Sequence, residues 1–460
     1  MGISIDLGNF VANTAFEDIP KKNIAAQKKS IIDCVGNILG ASGIGDGCQD
    51  FVKTAIELSG ENPAREATVI GFNGLKLPAV WAAFANGSMA HSLDFGDSAI
   101  NGGHPNNSAF PASLAVSEAL GNIDGRRFLT AAIVGSEVCA RLTKANRRDA
   151  KDLGFYPPVI YSSFGATASV AKLLALNPVQ VVNAFSFNLC QITCSAEILN
   201  NSNTVMRSVR ECFGAKSAVI SGYLAKRNLK GFDYPLEGEY GFFHAYAHDE
   251  YEPNDITDGL GTVFMSGNLA FKPWPSCLGT HTAINAALLL RQEHSIDYRD
   301  IKHIHIKVSQ QNQMLVEPDD IKKVPHSASI AKFSTLYTVA VALIKGNVTI
   351  SDFSDEALKD KDVLELTSKM THETVSEWDR PLKMNTEVTI ETSNGSFTKF
   401  LKVPYGYPDN PISYESLCEK MYANAKAANN PPSEQCLKEI RYTVEHIDEL
   451  TDISELTKLL

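Results

Sequence analysis

The stretch 301-IKHIHIKVS-309 alternates apolar and polar residues without a break. Ile304, Ile306 and Val308 fall on one side and His303, His305 and Lys307 on the other, which is the period of a half-buried strand. The chain before it has a different rhythm. Between Lys21 and Leu39 the apolar residues Ile24, Ile31, Ile32, Val35, Ile38 and Leu39 recur at helical spacing and predict an amphipathic helix that stops at Gly40. The segments "AVWAAFANGSMAHSL", "FPASLAVSEALG", "RRFLTAAIVGSEVCARL" and "FGATASVAKLLAL" are dense in alanine, serine and glycine at the same spacing, so their helices can approach closely.

Beyond the strand, "TEVTIETSNGSFTKFLKV" contains two strand-like runs meeting at Asn394-Gly395, which predicts a hairpin with a type I′ turn. "HSASIAKFSTLYTVAVALIKG" reads as one helix closing at Gly346. After "PYGYPDNP" the helical pattern returns in "SYESLCEKMYANAKAA" and "SEQCLKEIRYTVEHIDEL". The expected fold is mainly α: a large all-helical domain, residues 1–261 and 404–460, interrupted by a smaller α+β domain, residues 262–403. An insert facing a larger domain creates a cleft suited to a small molecule.

Composition removes several function classes. The chain is 44% hydrophobic and 21% charged, and no apolar run reaches the ~18 residues of a membrane span. A net charge of -11 repels a nucleic-acid backbone. The N-terminus has no continuous apolar core after a basic start, so it does not read as a secretory leader, and a cytoplasmic location is expected. Nine scattered cysteines read as small buried hydrophobes rather than disulfides. Cys190 and Cys194 lack a second ligand pair and His303 and His305 a third ligand, so no metal is expected at either place. The glycines of "GASGIGDG" follow a helix rather than a strand, the wrong context for a nucleotide loop.

Ionisable groups gather in 91-HSLDFGDSAINGGHPNNSAFPASLA-115, between two helical segments. A histidine can exchange a proton near neutrality, and a carboxylate beside it can orient the ring. On the residues alone, His91 reads as structural at a helix end, Asp97 and Ser98 as turn or capping groups, and His104 as a loop residue.

This stretch resembles the MmgE/PrpD family, which includes 2-methylcitrate dehydratases, cis-aconitate decarboxylases and iminodisuccinate epimerases. The family pattern A-H-x-x-D-[FY]-D-D-[TS], a spacer and H-P is met by Ala90, His91, Asp94, Phe95, Asp97, Ser98, His104 and Pro105, with Gly96 in place of an acid. The resemblance continues through "AKLLAL", "FKPWPSCLGTH", "AKFSTLY", "NVTISDF" and "PYGYPDNPIS", nearly the full chain. It implies that the α+β insert is a lid domain and that the protein is a homodimer. It also implies a cofactor-free lyase acting on a small di- or tricarboxylate, in the first place a 2-methylcitrate dehydratase-like hydro-lyase. A cis-aconitate decarboxylase-like carboxy-lyase, an epimerase of an amino- or imino-dicarboxylate and a non-catalytic carboxylate-binding relative are its alternatives.

Residue by residue, the resemblance implies catalytic roles for Asp94, His104 and Lys272, and substrate contacts for Ser98 and His281. Two positions depart. Tyr156 stands where the family has the histidine of Gly-Phe/Trp-His, and it enters the catalytic set as a phenolic proton donor. The pattern K-R-x-H-x-G-x-A-A, matched without gaps, falls on "RSVRECFGA" and puts Arg207 in the place of a lysine, with Arg210 three residues further on. A guanidinium at that place clamps a carboxylate but does not act as a base.

Overall fold

The computed structural model describes residues 2–100, 103–148, 154–199, 201, 204–379 and 384–460. The chain forms two compact units, one of Met1–Ala270 with Ser413–Leu460 and the other of Phe271–Ile412.

The first unit is helical, mainly α as the periodicity predicts. Helices Ala79–Ala90, Pro105–Leu120, Gly125–Ala145, Pro157–Leu173 and Glu211–Lys226 pack together through small residues and a buried aromatic set that includes Phe110, Phe128, Phe164 and Phe242. The first long helix differs from its expected end: it runs Lys21–Ile44, through Gly40, and is capped at Gly45. The reason is packing. Helix Tyr414–Ala425 and the residues after it lie so close that a Cβ on Gly36 would come within 2.7 Å of the Met421 Cα, and one on Gly43 within 2.0 Å of the Ala427 carbonyl oxygen. The glycines thus permit helix contact instead of ending the helix. Two-residue strands Ser98–Ala99 and Leu269–Ala270 pair antiparallel and hold down the turn that precedes helix Pro105–Leu120.

The second unit is the α+β part. Its sheet has the order Met370–Val375, Ile301–Ser309, Thr386–Thr392, Gly395–Leu401, with the first pair parallel and the others antiparallel. Ile304, Ile306 and Val308 are buried in a core shared with helices His281–Glu293 and Thr335–Lys345, as the alternation predicts. His303 and His305 lie on the other face, where both rings hydrogen-bond the Thr371 hydroxyl.

Two local expectations are corrected. The hairpin forms, but Thr392 pairs with Gly395, so Ser393 and Asn394 make the turn, and neither has the positive φ of a type I′ turn. The Thr392 hydroxyl accepts from the Asn394 amide, and Gly395 itself takes φ 142°, which moves the turn back by one residue. The predicted single helix before Gly346 is two, Ala328–Lys332 and Thr335–Lys345. Ser334 causes the break, since its hydroxyl caps the second helix at the Tyr337 amide and donates to the Lys322 carbonyl. Gly346 closes the second helix in the left-handed conformation, as expected.

None of the described helices is long and apolar enough to cross a membrane. Among the described residues the cysteines form no disulfide; five are buried, whereas Cys190 is exposed at a helix end.

Candidate functional site

The turn from His91 to His104 joins the end of helix Ala79–Ala90 to the start of helix Pro105–Leu120. Its residues Asn101 and Gly102 lie outside the described set. Asp94 adopts a left-handed backbone at φ 51°, which aspartate tolerates better than most residues, and its amide donates to the His91 carbonyl. Pro105 at the first helical position fixes the entry of the second helix and leaves His104 at the cap. The chain thereby brings the two imidazoles together, with ring centroids 4.3 Å apart.

Each ring has a definable proton position. His104 is half-buried, and its Nδ1 donates to the Asp97 carbonyl at 2.8 Å, so in the neutral ring the basic lone pair is on Nε2. The Ser162 hydroxyl donates to the His104 carbonyl at 3.0 Å and ties this cap to helix Pro157–Leu173. In the buried His91, Nε2 lies 2.7 Å from Arg210 Nη2, and a guanidinium can only donate. His91 therefore carries its proton on Nδ1. That nitrogen is 2.8 Å from the end of the Asn107 amide, and this tautomer selects the amide orientation that turns the oxygen to the ring. Asp94 Oδ1 is 3.6 Å from His91 Nε2.

Gly96, the departure from the family pattern, has a local cause: a Cβ there would meet the Asn107 amide at 2.7 Å. Asp97 points away from the rings into a buried network. Its Oδ2 accepts from Ser30 Oγ and Asn106 Nδ2, both at 2.6 Å, and the Asn106 oxygen accepts from Gln27 at 2.8 Å. Burial pushes the Asp97 carboxyl up to about 6 against these hydrogen bonds. Below the turn, Lys420 from helix Tyr414–Ala425 pairs with Asp33 at 2.6 Å, donates to the Phe95 carbonyl and sits 3.5 Å from the centre of the Phe95 ring. Asn106 and Asn107 follow His104 closely in the same stretch, whereas Asp33 and Lys420 come from distant parts of the chain and sequence spacing gives no signal for them.

The other expected residues divide between the units. Ser98 is buried and its hydroxyl donates toward the Ala99 and Gly103 carbonyls at 3.3 and 3.2 Å, which gives it a clear turn function. Tyr156 caps helix Pro157–Leu173, and Arg210 lies 5.2 Å from the centre of its ring. Arg207 is half-buried in the short helix Met206–Val209, but the guanidinium on His91 and Tyr156 belongs to Arg210. Arg210 also donates to the Arg207 carbonyl, and its Nε is 3.6 Å from the Glu211 carboxylate, which accepts from Ser108 at 2.7 Å. Burial pushes Glu211 up to about 7. A cavity of about 420 Å³ adjoins this cluster, with Arg210 in its wall.

Lys272 and His281 belong to the second unit. The backbone at Lys272 is set by the Phe271 amide, which donates to the Gly406 carbonyl at 2.9 Å. Gly406 has φ 95°, and a Cβ there would lie 2.0 Å from the Phe271 oxygen, so "FKPWP" and "PYGYPDNP" form one paired feature. His281 starts helix His281–Glu293, buried with its ring edge-on to Trp274 at 5.3 Å. Among the described residues no three histidine, cysteine or acidic side chains group as a metal site.

Comparison with known proteins adds a family and relatives to this geometry. The MmgE/PrpD N-terminal domain matches residues 5–254 and the MmgE/PrpD C-terminal domain residues 274–446. Cis-aconitate decarboxylase of Mus musculus is 28% identical, covering 95% of this chain and 89% of its own length. Cis-aconitate decarboxylase of Aspergillus terreus is 26% identical over 100% of this chain and 96% of its own. The 2-methylcitrate dehydratase of Escherichia coli is 24% identical, covering 73% of each chain.

Proposed function

From the premise that this chain belongs to the MmgE/PrpD family, we propose that it is a lyase acting on a small tricarboxylate, in which His104 moves the proton and Arg210 meets a substrate carboxylate. The observation that carries this reading is the fixed tautomer pair. His104 presents a basic Nε2 because the Asp97 carbonyl holds its Nδ1 proton, and His91 stays neutral because Arg210 donates to it. Proton transfer at a carbon beside a carboxylate needs a base and a cation for the enediolate-like charge, and the two groups supply these. Asp94, held at the same turn, completes the acid–base set, with Ser98 and Arg207 close in sequence to its members. Lys272 and His281, in the second unit, are carried in this proposal as carboxylate-binding residues of that unit. No step in this scheme calls on a cofactor.

Dehydration is the first reading. Loss of hydroxide calls for a proton donor at the leaving oxygen, and Tyr156 offers a phenolic O–H beside Arg210. Decarboxylation is the second reading, supported by the relatives named decarboxylases matching along nearly the whole chain. A homodimer in the cytoplasm is part of the same proposal, and size-exclusion chromatography with light scattering checks the oligomer.

Incubating the protein with 2-methylcitrate, citrate and cis-aconitate in D2O, followed by NMR, tests the reaction. A new alkene without carbon dioxide supports dehydration, and carbon dioxide release supports decarboxylation. Deuterium uptake into an unchanged skeleton overturns both in favour of an isomerase, and bound but unaltered substrate overturns catalysis altogether.

A further inference from the structure

We propose that Glu211 is the resident counter-ion of Arg210 and takes up a proton from solvent when a ligand carboxylate reaches that guanidinium, so that ligand binding is coupled to protonation of a buried acid. This rests on the carboxylate-lyase reading and names the group that regulates the same site.

Glu211 is the first residue of helix Glu211–Lys226 and is fully buried. Its Oε2 accepts from the Ser108 hydroxyl at 2.7 Å. Its Oε1 has no hydrogen-bond partner among the described residues and stands 3.6 Å from Arg210 Nε, which has none either. The two groups are close without making the bidentate contact of a settled guanidinium–carboxylate pair. Arg210 Nη2 serves His91, Nη1 serves the Arg207 carbonyl, and the side chain forms part of the wall of the cavity of about 420 Å³.

The surroundings of Glu211 offer no other cation. It feels the Asp97 carboxyl from the turn, the Cys139 thiol from helix Gly125–Ala145, the Cys194 thiol from the segment after helix Pro178–Leu189, and Cys212 next to it. Burial pushes all three thiols up, and they stay uncharged near neutrality. Helices Ala79–Ala90 and Pro178–Leu189, packed on Glu211–Lys226, have no titratable side chain. Helix Pro157–Leu173 has Tyr161, its phenol raised by burial, and Lys172, which donates to the Ala12 carbonyl. A carboxylate arriving at Arg210 therefore puts two anions on one guanidinium where there is little water, and such a pair does not stay doubly charged. Glu211, already pushed up to about 7, gains the proton. The proton comes from bulk solvent and joins Oε1, while Oε2 keeps the Ser108 hydrogen bond. Affinity is then complete below pH 7 and is lost as pH rises above it.

Calorimetric titration of the full chain with tricarballylate, a tricarboxylate with neither a hydroxyl nor a double bond, tests the proposal when run in HEPES and in Tris, whose heats of ionisation differ. The difference between the buffers reads the protons taken up per ligand, expected to be close to one at pH 8 and about half at pH 7. Affinity is expected to fall about fiftyfold between pH 7 and 9. Glu211→Gln, which keeps an uncharged acceptor for Ser108, is expected to abolish the uptake and to flatten the affinity over that range. Uptake by His104 or Asp97 survives this substitution, so uptake that persists in Glu211→Gln overturns the assignment. Ser108→Ala removes a hydrogen bond that favours the charged carboxylate and is expected to move the uptake profile up by about one pH unit. If Glu211→Gln does not fold, this shift decides, and an unmoved profile overturns the proposal. Binding without proton uptake in the wild type also overturns it while leaving the carboxylate reading in place. Failure of tricarballylate, citrate and cis-aconitate alike to bind overturns the carboxylate reading itself.

Discussion

His104 is worth more than its loop position suggests because its two polar ends are assigned different work: Nδ1 and the carbonyl are spent on holding geometry, which defines Nε2 as the proton carrier. His104→Ala is expected to cut turnover about a hundredfold or more while the melting temperature moves by only a few degrees, since the ring of this half-buried cap contributes little to the core. Parallel activity assays and melting curves check this, and undiminished activity removes His104 from the mechanism. Asp97, whose own carbonyl holds that Nδ1 proton, has a different kind of consequence. Its folded carboxyl is raised to about 6, so the folded chain holds a proton that the unfolded chain, with an ordinary aspartate near 4, has released. The proton-linked stability is complete below pH ~4 and is lost as pH rises through about 6, a penalty on the order of 3 kcal/mol at neutrality. Asp97→Asn is therefore expected to gain on the wild type as pH goes from 4 to 7.5, measured as the difference between their denaturation midpoints. A pH-independent difference contradicts the assignment.

At the scale of elements, helix Lys21–Ile44 shows how close contact replaces a local signal. Gly40 has the look of a stop when the helix is read alone, but the approach of Tyr414–Ala425 gives the glycines a packing purpose. Gly43→Ala puts a methyl 2.0 Å from a backbone oxygen, which cannot move as a flexible side-chain end does. The expected cost is about 1–3 kcal/mol, read from urea denaturation, with an unchanged midpoint as the contrary result. The turn 91–104 depends on elements in the same way. Its Asp97 is held from helix Lys21–Ile44 through Ser30, and its Phe95 carbonyl from helix Tyr414–Ala425 through Lys420. The hairpin illustrates the converse: the strands were legible from alternation, and only the turn residues moved, by one position, because Thr392 and Gly395 offered a better local arrangement than Asn394 at positive φ.

For the whole molecule, the return of the chain after residue 412 is what completes the first unit. A chain ending at Ile412 loses Tyr414–Ala425 from the glycine face and leaves Asp33 buried without Lys420. Hydrogen exchange is expected to show lost protection across Lys21–Ile44 and Pro105–Leu120, while Ile301–Ser309, whose sheet and core lie in the second unit, keeps its protection. Equal protection in both units of the truncated chain would contradict this division.

The sequence by itself determined the helical and α+β character of the two parts, the inward face of strand Ile301–Ser309 and the gathering of Asp94 and His104 around one turn. Those features depend on periods of two and 3.6 residues and on neighbours close along the chain, and periodicity carries that information. Arg207 and Arg210 lie on one short segment, and spacing does not say which guanidinium turns to the histidines; His91, buried 119 positions away in the chain, decides it. The neutral state of His91 and the elevated carboxyls of Asp97 and Glu211 were likewise decided only in three dimensions. A tautomer or a pKa depends on which donors and how little water surround a group, and those neighbours are assembled only by the tertiary fold.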